Sequence, residues 1–572
     1  MRLQGAENCR KSLWDGLRRL SRTILDYIIC IYLVLMLAAF PFYNEAGYDH
    51  IGTDKSTFFC RLGVSTGKIL VIPLVLCLIA ESVIFIRQHF AGKKASERTF
   101  TGQTSVRQKF AGPRLTRRKD ILQKQDISIS STDIFALVYC AALFLSYVCT
   151  DYREEALWGE RGWYMGLLPQ LILICIYFLV SRFWTPRKWI FYIVLPASGA
   201  VFVMGCMNRF GIYSFGLEFV NTGYISTIGN QNWYCGYAVS VVFAGVVLLW
   251  LGERTKTWQR ALLMIYTFAG YLSLVLQGSD SGLAALAVVM LVMFFLSAGE
   301  ADRMLVFWQE MALLWGGCLM LFLFRLLVPN GINFIGKFAE IFISGPVSIV
   351  MTAVSVFALI LVWTDRRKGK YRGKMFRILA KTAVFGSAGA VLGVLLLAAV
   401  NTLCPGILGR LSENILFTFN TAWGSNRGAT WSAGWKCFAA QDALHKLAGV
   451  GPDCMWSYIN SEASPEIYAY VKELFSGQRL TNAHNEWLTI LVDTGILGLV
   501  GYGGMMVCGM RELMKKGKEN PIAAACGFCL LAYTVNNIFS FQQSMGVGTV
   551  FVMFGIGKAF LSKWQAVNHL SA

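Results

Sequence analysis

The chain has 572 residues, of which 55 % are hydrophobic and 15 % are charged. Together with many apolar runs of about 20 residues, this composition excludes an ordinary soluble protein and predicts an all-α polytopic integral membrane protein. The formal charge of +19 would by itself suit a nucleic-acid-binding protein. The excess Lys and Arg lie in short loops between apolar runs, however, where they orient membrane proteins, so we expect no nucleic-acid partner.

The apolar runs predict about 14 transmembrane helices, within an expected range of about 12 to 14. The first run is long, has no cleavage-like site and is followed by many others, so we interpret it as a span and not as a signal peptide. The spans are expected near residues 24–43, 68–86, 131–149, 165–181, 189–206, 233–251, 261–277, 282–298, 305–324, 346–363, 380–400, 486–508, 521–537 and 547–561.

Basic loops set the expected orientation of these spans. The segment before the first span and the loop from Arg87 to Lys124 are rich in Lys and Arg, and later basic clusters fall in every second loop. Because cytoplasmic loops are the basic ones, we expect both termini in the cytoplasm. We interpret the loop Arg87–Lys124 as a topology signal, with contact to anionic lipid headgroups as the alternative.

The resulting alternation divides the chain into four expected regions. The third is the large segment expected on the outer face, and its length and tryptophan content indicate a folded cap and not a linker. The regions are 1–130, two spans and a basic cytoplasmic loop; 131–400, a transmembrane core; 401–485, a large extracytoplasmic loop; and 486–572, C-terminal transmembrane helices.

The stretch AHNEWLTILVDTGILGLVGY joins the outer loop to a membrane helix. It places His484 and Asn485 at the level of the lipid headgroups, where a lipid-linked substrate would lie. The alternative is that both residues only end the helix, because a helix N-terminus favours Asn for capping.

The same stretch carries a carboxylate and regularly spaced glycines. Asp493 lies about two turns inside the helix, where it is costly unless paired or hydrated, and we interpret it as a residue that orients His484 or a neighbouring helix. Gly495 and Gly498 have the spacing that lets another helix approach closely.

Arginines on the outer face suit an anionic substrate. A guanidinium binds a phosphate through two hydrogen bonds without a metal, and the alternative for each arginine is a solvated or structural role. No pair of the five histidines has metal-ligand spacing, so we expect no metal and no cofactor. The candidates are Arg427 in GSNRGATW, Arg410, Arg479 and Arg161.

The cysteines give little functional signal. Cys526 and Cys529 form a CxxC inside an apolar span, where small sulfur-containing side chains pack well, so we expect no redox role. Cys404, Cys437 and Cys454 lie in the outer loop, and a disulfide between any two would leave the third unpaired.

Three motifs resemble those of the O-antigen ligase and O-antigen polymerase family. HNEWLTILVDTGILGL is similar to its signature of HN, an aromatic residue and leucines, an acidic residue and Gly-x-x-Gly. NRGATWSAGWKCFAAQDALHKLAGVGPDCMW resembles its outer-loop pattern through Arg427, Trp431 and the GVG of residues 449–451. IGNQNWYCGY, which contains Asn232, is similar to its GN-x-N stretch. The resemblance covers roughly residues 150–560.

The resemblance implies a bacterial inner-membrane enzyme that transfers a glycan outside the cytoplasm. The donor would be an undecaprenyl-diphosphate-linked glycan, and the acceptor another glycan. In this scheme His484 accepts the proton of the attacking hydroxyl and Arg427 stabilises the diphosphate that leaves, without a metal. Substrate binding would also involve Asn485, Asn232 and the arginines Arg410, Arg479 and Arg161. Membrane lipids would surround the protein.

One position departs from the family pattern. Members often carry Ser-Arg before a middle span, whereas this chain has QGSDSGLAAL with Asp280 there. Asp280 therefore joins the predicted substrate-binding residues, and the missing charge is expected from elsewhere, such as Arg161 or Arg479.

The alternative function from another class is a transporter, such as a flippase of lipid-linked oligosaccharides. A transporter built from repeats would show matched broken segments in two halves, which the sequence lacks. Polymerase and ligase both remain open, because they would share the histidine, the arginine and the outer loop.

Overall fold

A computed structural model of the protein describes residues 2–100, 129–213, 216–217, 221, 223–252, 256–333, 335–414, 416–515 and 519–568. This part of the chain contains twenty α-helices and one antiparallel hairpin, formed by β1 (Tyr224–Ile225) and β2 (Gly229–Asn230). The predicted all-α class is therefore confirmed. Most of the predicted basic loop Arg87–Lys124 lies outside the described residues.

The helices follow the apolar runs in order. They are α1 (Arg2–Val34), α2 (Ile51–Phe100), α3 (Ser131–Cys149), α4 (Arg153–Trp158), α5 (Leu167–Phe183), α6 (Phe191–Arg209), α7 (Gln231–Leu251), α8 (Thr257–Leu276), α9 (Asp280–Ser297), α10 (Ala301–Leu327), α11 (Lys337–Phe342), α12 (Gly345–Arg367), α13 (Gly373–Leu403), α14 (Trp423–Ala440), α15 (Ala443–Ala448), α16 (Met455–Ser461), α17 (Pro465–Leu474), α18 (Glu486–Lys515), α19 (Pro521–Asn536) and α20 (Val547–Asn568).

Fourteen of these helices coincide with the predicted spans. Among the described residues, eleven helical stretches are long and apolar enough to cross a membrane, and α5, α19 and the apolar part of α20 are shorter. The protein is thus a multi-pass membrane protein, while the number of spans and the orientation of the termini stay predictions.

The segment between α13 and α18 contains four helices, α14 to α17. Helices α14, α16 and α17 share a small apolar core with Ala156 of α4 and Val492 of α18, and this core includes Ala433, Met455 and Ile467. Burying this core stabilises the segment as a folded unit, because apolar area is removed from water.

Helix α18 packs most extensively against α3. Glycines make the close approach possible: a Cβ atom at Gly501 would lie 2.6 Å from the backbone nitrogen of Tyr139. The two helices support the segment between α13 and α18, which contacts α18 through α14 and α15.

Ion pairs hold the opposite end of the bundle, away from the start of α18. Arg182 pairs with Asp133, and Lys558 pairs with Glu512 near the end of α18. These charges are mostly buried, so each pair satisfies groups that would be costly alone.

Candidate active site

The chain turns sharply where α18 begins, and this turn presents His484. Its φ is +50°, in the left-handed region that non-glycine residues rarely adopt. The backbone N–H of His484 donates to Asn482 Oδ1 at 3.0 Å. Asn485 Oδ1 accepts from Leu488 N at 3.0 Å, so Asn485 caps α18. Strained residues of this kind cluster at functional sites.

The His484 imidazole is half-buried against an aromatic ring. It contacts Phe541 edge-on, with ring centroids 5.1 Å apart, and its Nδ1 has no hydrogen-bond partner in the described part of the chain. Burial, and then the positive charge of Arg427, lower the pKa of His484 to about 4. The imidazole is therefore neutral at pH 7, the form that accepts a proton.

Arg427 follows a turn of three left-handed residues. Gly424, Ser425 and Asn426 have φ values of 59°, 60° and 68°. Arg427 Nη1 donates back to Gly424 O at 2.9 Å, and its Nε donates to Phe539 O at 2.9 Å. These two bonds fix the orientation of the guanidinium.

Burial lowers the pKa of Arg427, and the nearby carboxylate of Asp280 opposes that change. An arginine remains charged at neutral pH nevertheless. The site thus contains a neutral histidine and a cation that is close enough to influence it. A neutral imidazole is able to accept a proton, and a guanidinium is able to bind an anion.

The outer-loop motif GVG docks on a break in α18. Gly495 has φ +67° and ψ −170° within the helix, which frees the carbonyls before it. Val450 N then donates to Val492 O at 3.2 Å, and Gly451 N donates to Asp493 O at 3.0 Å. A Cβ atom at Gly495 would run into the carbonyl of Leu447, so the break needs glycine.

Residues 341–503 match the protein family described as O-antigen ligase. This segment is an O-antigen ligase domain. It contains Arg427, the GVG motif and His484, so the family predicted from these motifs is confirmed. The match supports glycan transfer of the ligase or polymerase type. No curated protein matches the chain.

The segment that follows α19 contacts both the motif that carries Arg427 and the motif that carries His484, although it lies outside residues 341–503. Phe539 O holds Arg427, the Phe541 ring contacts His484, and Asn537 O accepts from Glu486 N at 2.9 Å. Sequence reasoning missed these residues. The polar run NNIFSFQQS between two apolar helices was the available signal.

Glu486 was also missed, and it fixes the start of α18. Its buried carboxylate accepts hydrogen bonds from the hydroxyls of Tyr502 and Tyr533 and from Asn537 Nδ2. A buried carboxylate with several donors is well satisfied, so this cluster holds the helix end that carries His484.

Asp493 serves the loop and not the histidine in its observed contacts. Its backbone carbonyl accepts from Gly451 N at 3.0 Å and from Ser146 Oγ at 2.7 Å, and its buried Oδ1 has no hydrogen-bond partner in the described part of the chain. Of the two predicted roles, the contacts favour orientation of a neighbouring element. Gly498 packs its backbone against the side chain of Thr494 within α18.

The other predicted substrate-binding residues are dispersed. Arg410 is exposed in the 3₁₀ turn Gly409–Glu413. Asn232 lies in the first turn of α7, where its backbone N–H is capped by Asn230 Oδ1 at 2.8 Å. Arg161 and Arg479 line a separate cleft. Of this set, Asp280, the first residue of α9, is the one that interacts with Arg427.

An arginine does reach the segment where the family carries Ser-Arg. Arg209, at the end of α6, donates from Nε to Leu276 O at 2.7 Å and from Nη2 to Gln277 O at 2.6 Å. A cation is therefore present next to QGSDSG, supplied by α6, while a donor-binding role of Arg161 or Arg479 stays a prediction.

Cysteines and metal ligands can be placed as well. Cys404 is exposed, Cys437 and Cys454 are buried, and all three are free thiols. Within the described ranges, no three His, Cys, Asp or Glu side chains are grouped so that they could hold a metal ion.

Proposed function

We propose that the protein transfers a glycan from an undecaprenyl-diphosphate carrier to a hydroxyl of an acceptor glycan, on the outer side of the inner membrane. The observation that carries this proposal is that His484 and Arg427 both contact the segment containing Phe539 and Phe541, next to the start of a membrane helix, with Arg427 close enough for its charge to act on His484. The O-antigen ligase match supports the reaction class.

Arg427 would stabilise the leaving diphosphate. Two of its five N–H groups bond to backbone carbonyls, and the described part of the chain gives the other three no hydrogen-bond acceptor. A guanidinium anchored in this way is preorganised for two hydrogen bonds to a phosphate. Its charge opposes the negative charge that develops as the bond from the sugar to the diphosphate breaks.

His484 would act as the general base. The acceptor hydroxyl forms a new bond to the anomeric carbon, the bond from that carbon to the diphosphate breaks, and the hydroxyl proton moves to His484. A positioned base contributes about 10² to 10⁴ in rate. A diphosphate bound at Arg427 would offset the charge that lowers the pKa of His484, so donor binding would strengthen the base.

The charge that Arg427 supplies makes a divalent cation unnecessary in this scheme. Phosphoryl and diphosphate groups are often held by metal ions, yet an arginine in a partly dry site performs the same electrostatic task. The proposal therefore includes metal-independent transfer, which chelation tests directly.

The deciding experiment uses purified protein in liposomes with a lipid-diphosphate oligosaccharide. We expect transfer by the parent and by His445→Ala, an outer-loop histidine that pairs with Asp442, and no transfer by His484→Ala. Growth of the lipid-linked glycan would identify a polymerase, and transfer only to an added second glycan a ligase. Equal transfer by His484→Ala, or donor crossing the bilayer without transfer, would refute the proposal.

A further inference from the structure

A cleft of about 710 Å³ lies between α4 with its following loop and α16. Its volume falls in the range of small-molecule sites, about 300 to 1,000 Å³. Aromatic side chains form much of its lining, and Trp158 is 50 % exposed. The aromatic lining residues are Tyr152, Trp158, Tyr164 and Trp456.

The polar lining of this cleft does not suit a diphosphate. Three glutamates face two arginines, and Arg479 is already paired with the buried Glu160 at 2.9 Å. The surplus of negative charge repels phosphates and uronic acids. Hydroxyl groups, by contrast, donate well to carboxylates. The charged lining residues are Glu154, Glu155, Glu160, Arg161 and Arg479.

Aromatic rings beside carboxylates are the chemistry that recognises sugars. Flat rings of Trp and Tyr present large, rigid apolar faces at low conformational cost, and these match the C–H faces of a pyranose. The hydroxyls around the sugar ring then find acceptors at the glutamates. The positive charge of an amine-bearing sugar is also attracted to these glutamates.

A short loop joins the cleft to the candidate active site. Asp453 Oδ2 accepts from Glu160 N and Met165 N, both at 2.9 Å, which closes the loop of residues 160–165. Arg161 and Tyr164 of this loop line the cleft. Between them, Trp163 packs edge-on against Phe541, with ring centroids 4.7 Å apart.

The contacts continue from Phe541 to His484. Arg427 bonds to a different residue, Phe539. The contacts that begin at the cleft therefore lead to His484 and not to Arg427. The group deprotonated by that base belongs to the acceptor. A chain extending from the acceptor hydroxyl would therefore run past Trp163 into the cleft.

We propose that this cleft binds the acceptor glycan and selects neutral or amine-bearing sugars over acidic ones. The proposal rests on the proposed transferase function, and it assigns Trp158 and the glutamates to substrate recognition and not to chemistry.

The test combines transfer kinetics with direct binding. We expect Trp158→Ala to raise KM for the acceptor about threefold to tenfold, the value of one aromatic contact, with kcat and the donor KM unchanged. Trp435→Ala, an exposed tryptophan that packs on Phe438, should behave as the parent. A rise in the donor KM alone, or a fall in kcat alone, would overturn the assignment.

The binding arm uses immobilised bacterial oligosaccharides of matched length that are neutral, amine-bearing or uronate-bearing. The parent should retain the first two classes, Trp158→Ala should lose them, and Glu155→Arg should gain the third. Retention of uronate-bearing members alone by the parent, or equal retention by Trp158→Ala, would overturn the proposal. Selective retention of neutral and amine-bearing oligosaccharides without any glycan transfer would support the cleft as a glycan-binding site and refute the proposed transferase function.

Discussion

Replacing Arg427 with methionine tests the electrostatic core of the proposed mechanism. The substitution keeps much of the apolar stem but removes the charge and all five N–H groups, including those that donate to Phe539 O and Gly424 O. Removing one preorganised oxyanion donor typically lowers kcat about 10² to 10³-fold, or about 3 to 4 kcal/mol. We expect a loss of this size in kcat/KM for the lipid-diphosphate donor.

Arg427→Lys refines the test. A lysine ammonium carries the charge but lacks the planar set of donors that bonds two backbone carbonyls and still offers two N–H groups to a phosphate. We therefore expect Arg427→Lys to recover about one to two orders of magnitude of the loss, as one charged hydrogen bond is worth about 1.5 to 3 kcal/mol.

The assay is initial-rate transfer in liposomes with the donor varied, after thermal unfolding has shown that each variant is folded. Lys472→Met is the matched control, since Lys472 is another outer-loop cation, placed over Tyr468 at 5.7 Å. A kcat/KM for Arg427→Met within about threefold of the parent would refute the electrostatic argument.

Three further predictions follow from the same geometry. The pKa of His484 is lowered to about 4 and its neutral form is the active one, so kcat/KM should not fall between about pH 8 and pH 5 through protonation of this group. Arg427→Met should move the fall in kcat/KM at acidic pH to a higher pH. A fall in the parent at pH 6 to 7 would contradict this prediction. Gly495→Ala should lower stability by about 2 to 4 kcal/mol, through strain and the overlap with Leu447, whereas Gly393→Ala, with open space around it, should not, as measured by thermal unfolding. Transfer should persist in excess EDTA, and loss that is restored by a divalent ion would show that a metal takes part.

Hydropathy predicted the helical membrane architecture well, and the motifs predicted His484 and Arg427 as the principal site residues, which stays a prediction. Apolar runs report membrane helices directly because each span satisfies its own backbone hydrogen bonds. His484 and Arg427 were accessible because both lie in motifs with an unusual density of polar residues next to an apolar helix.

The break in α18 could not be predicted from the sequence. Gly495 belongs to a series of glycines at three-residue spacing, and that pattern predicts helix packing. Its actual task, opening the helix so that GVG can bond to Val492 O and Asp493 O, depends on a loop more than forty residues upstream. Local periodicity does not encode such a partner.

The predicted roles of Arg161 and Arg479 show a second limit. They were predicted as outer-face cations for an anionic substrate, which stays a prediction, whereas the fold places both in a cleft with three glutamates and pairs Arg479 with Glu160. The charge of a side chain is visible in the sequence, whereas its neighbours are a property of the tertiary structure.

The position of the base relative to the cation depends on a third piece of chain. Arg427 and His484 lie on separate parts of the segment between α13 and α18, and each contacts the stretch after α19, one through the carbonyl of Phe539 and the other through the ring of Phe541. Glu486 ties the same stretch to α18 through Asn537. A shift of this stretch would therefore displace both groups together. Since a misplacement of about 1 Å can lower a rate about 10²-fold, the polar run NNIFSFQQS acts as part of the site although it supplies no reacting atom in the proposed step.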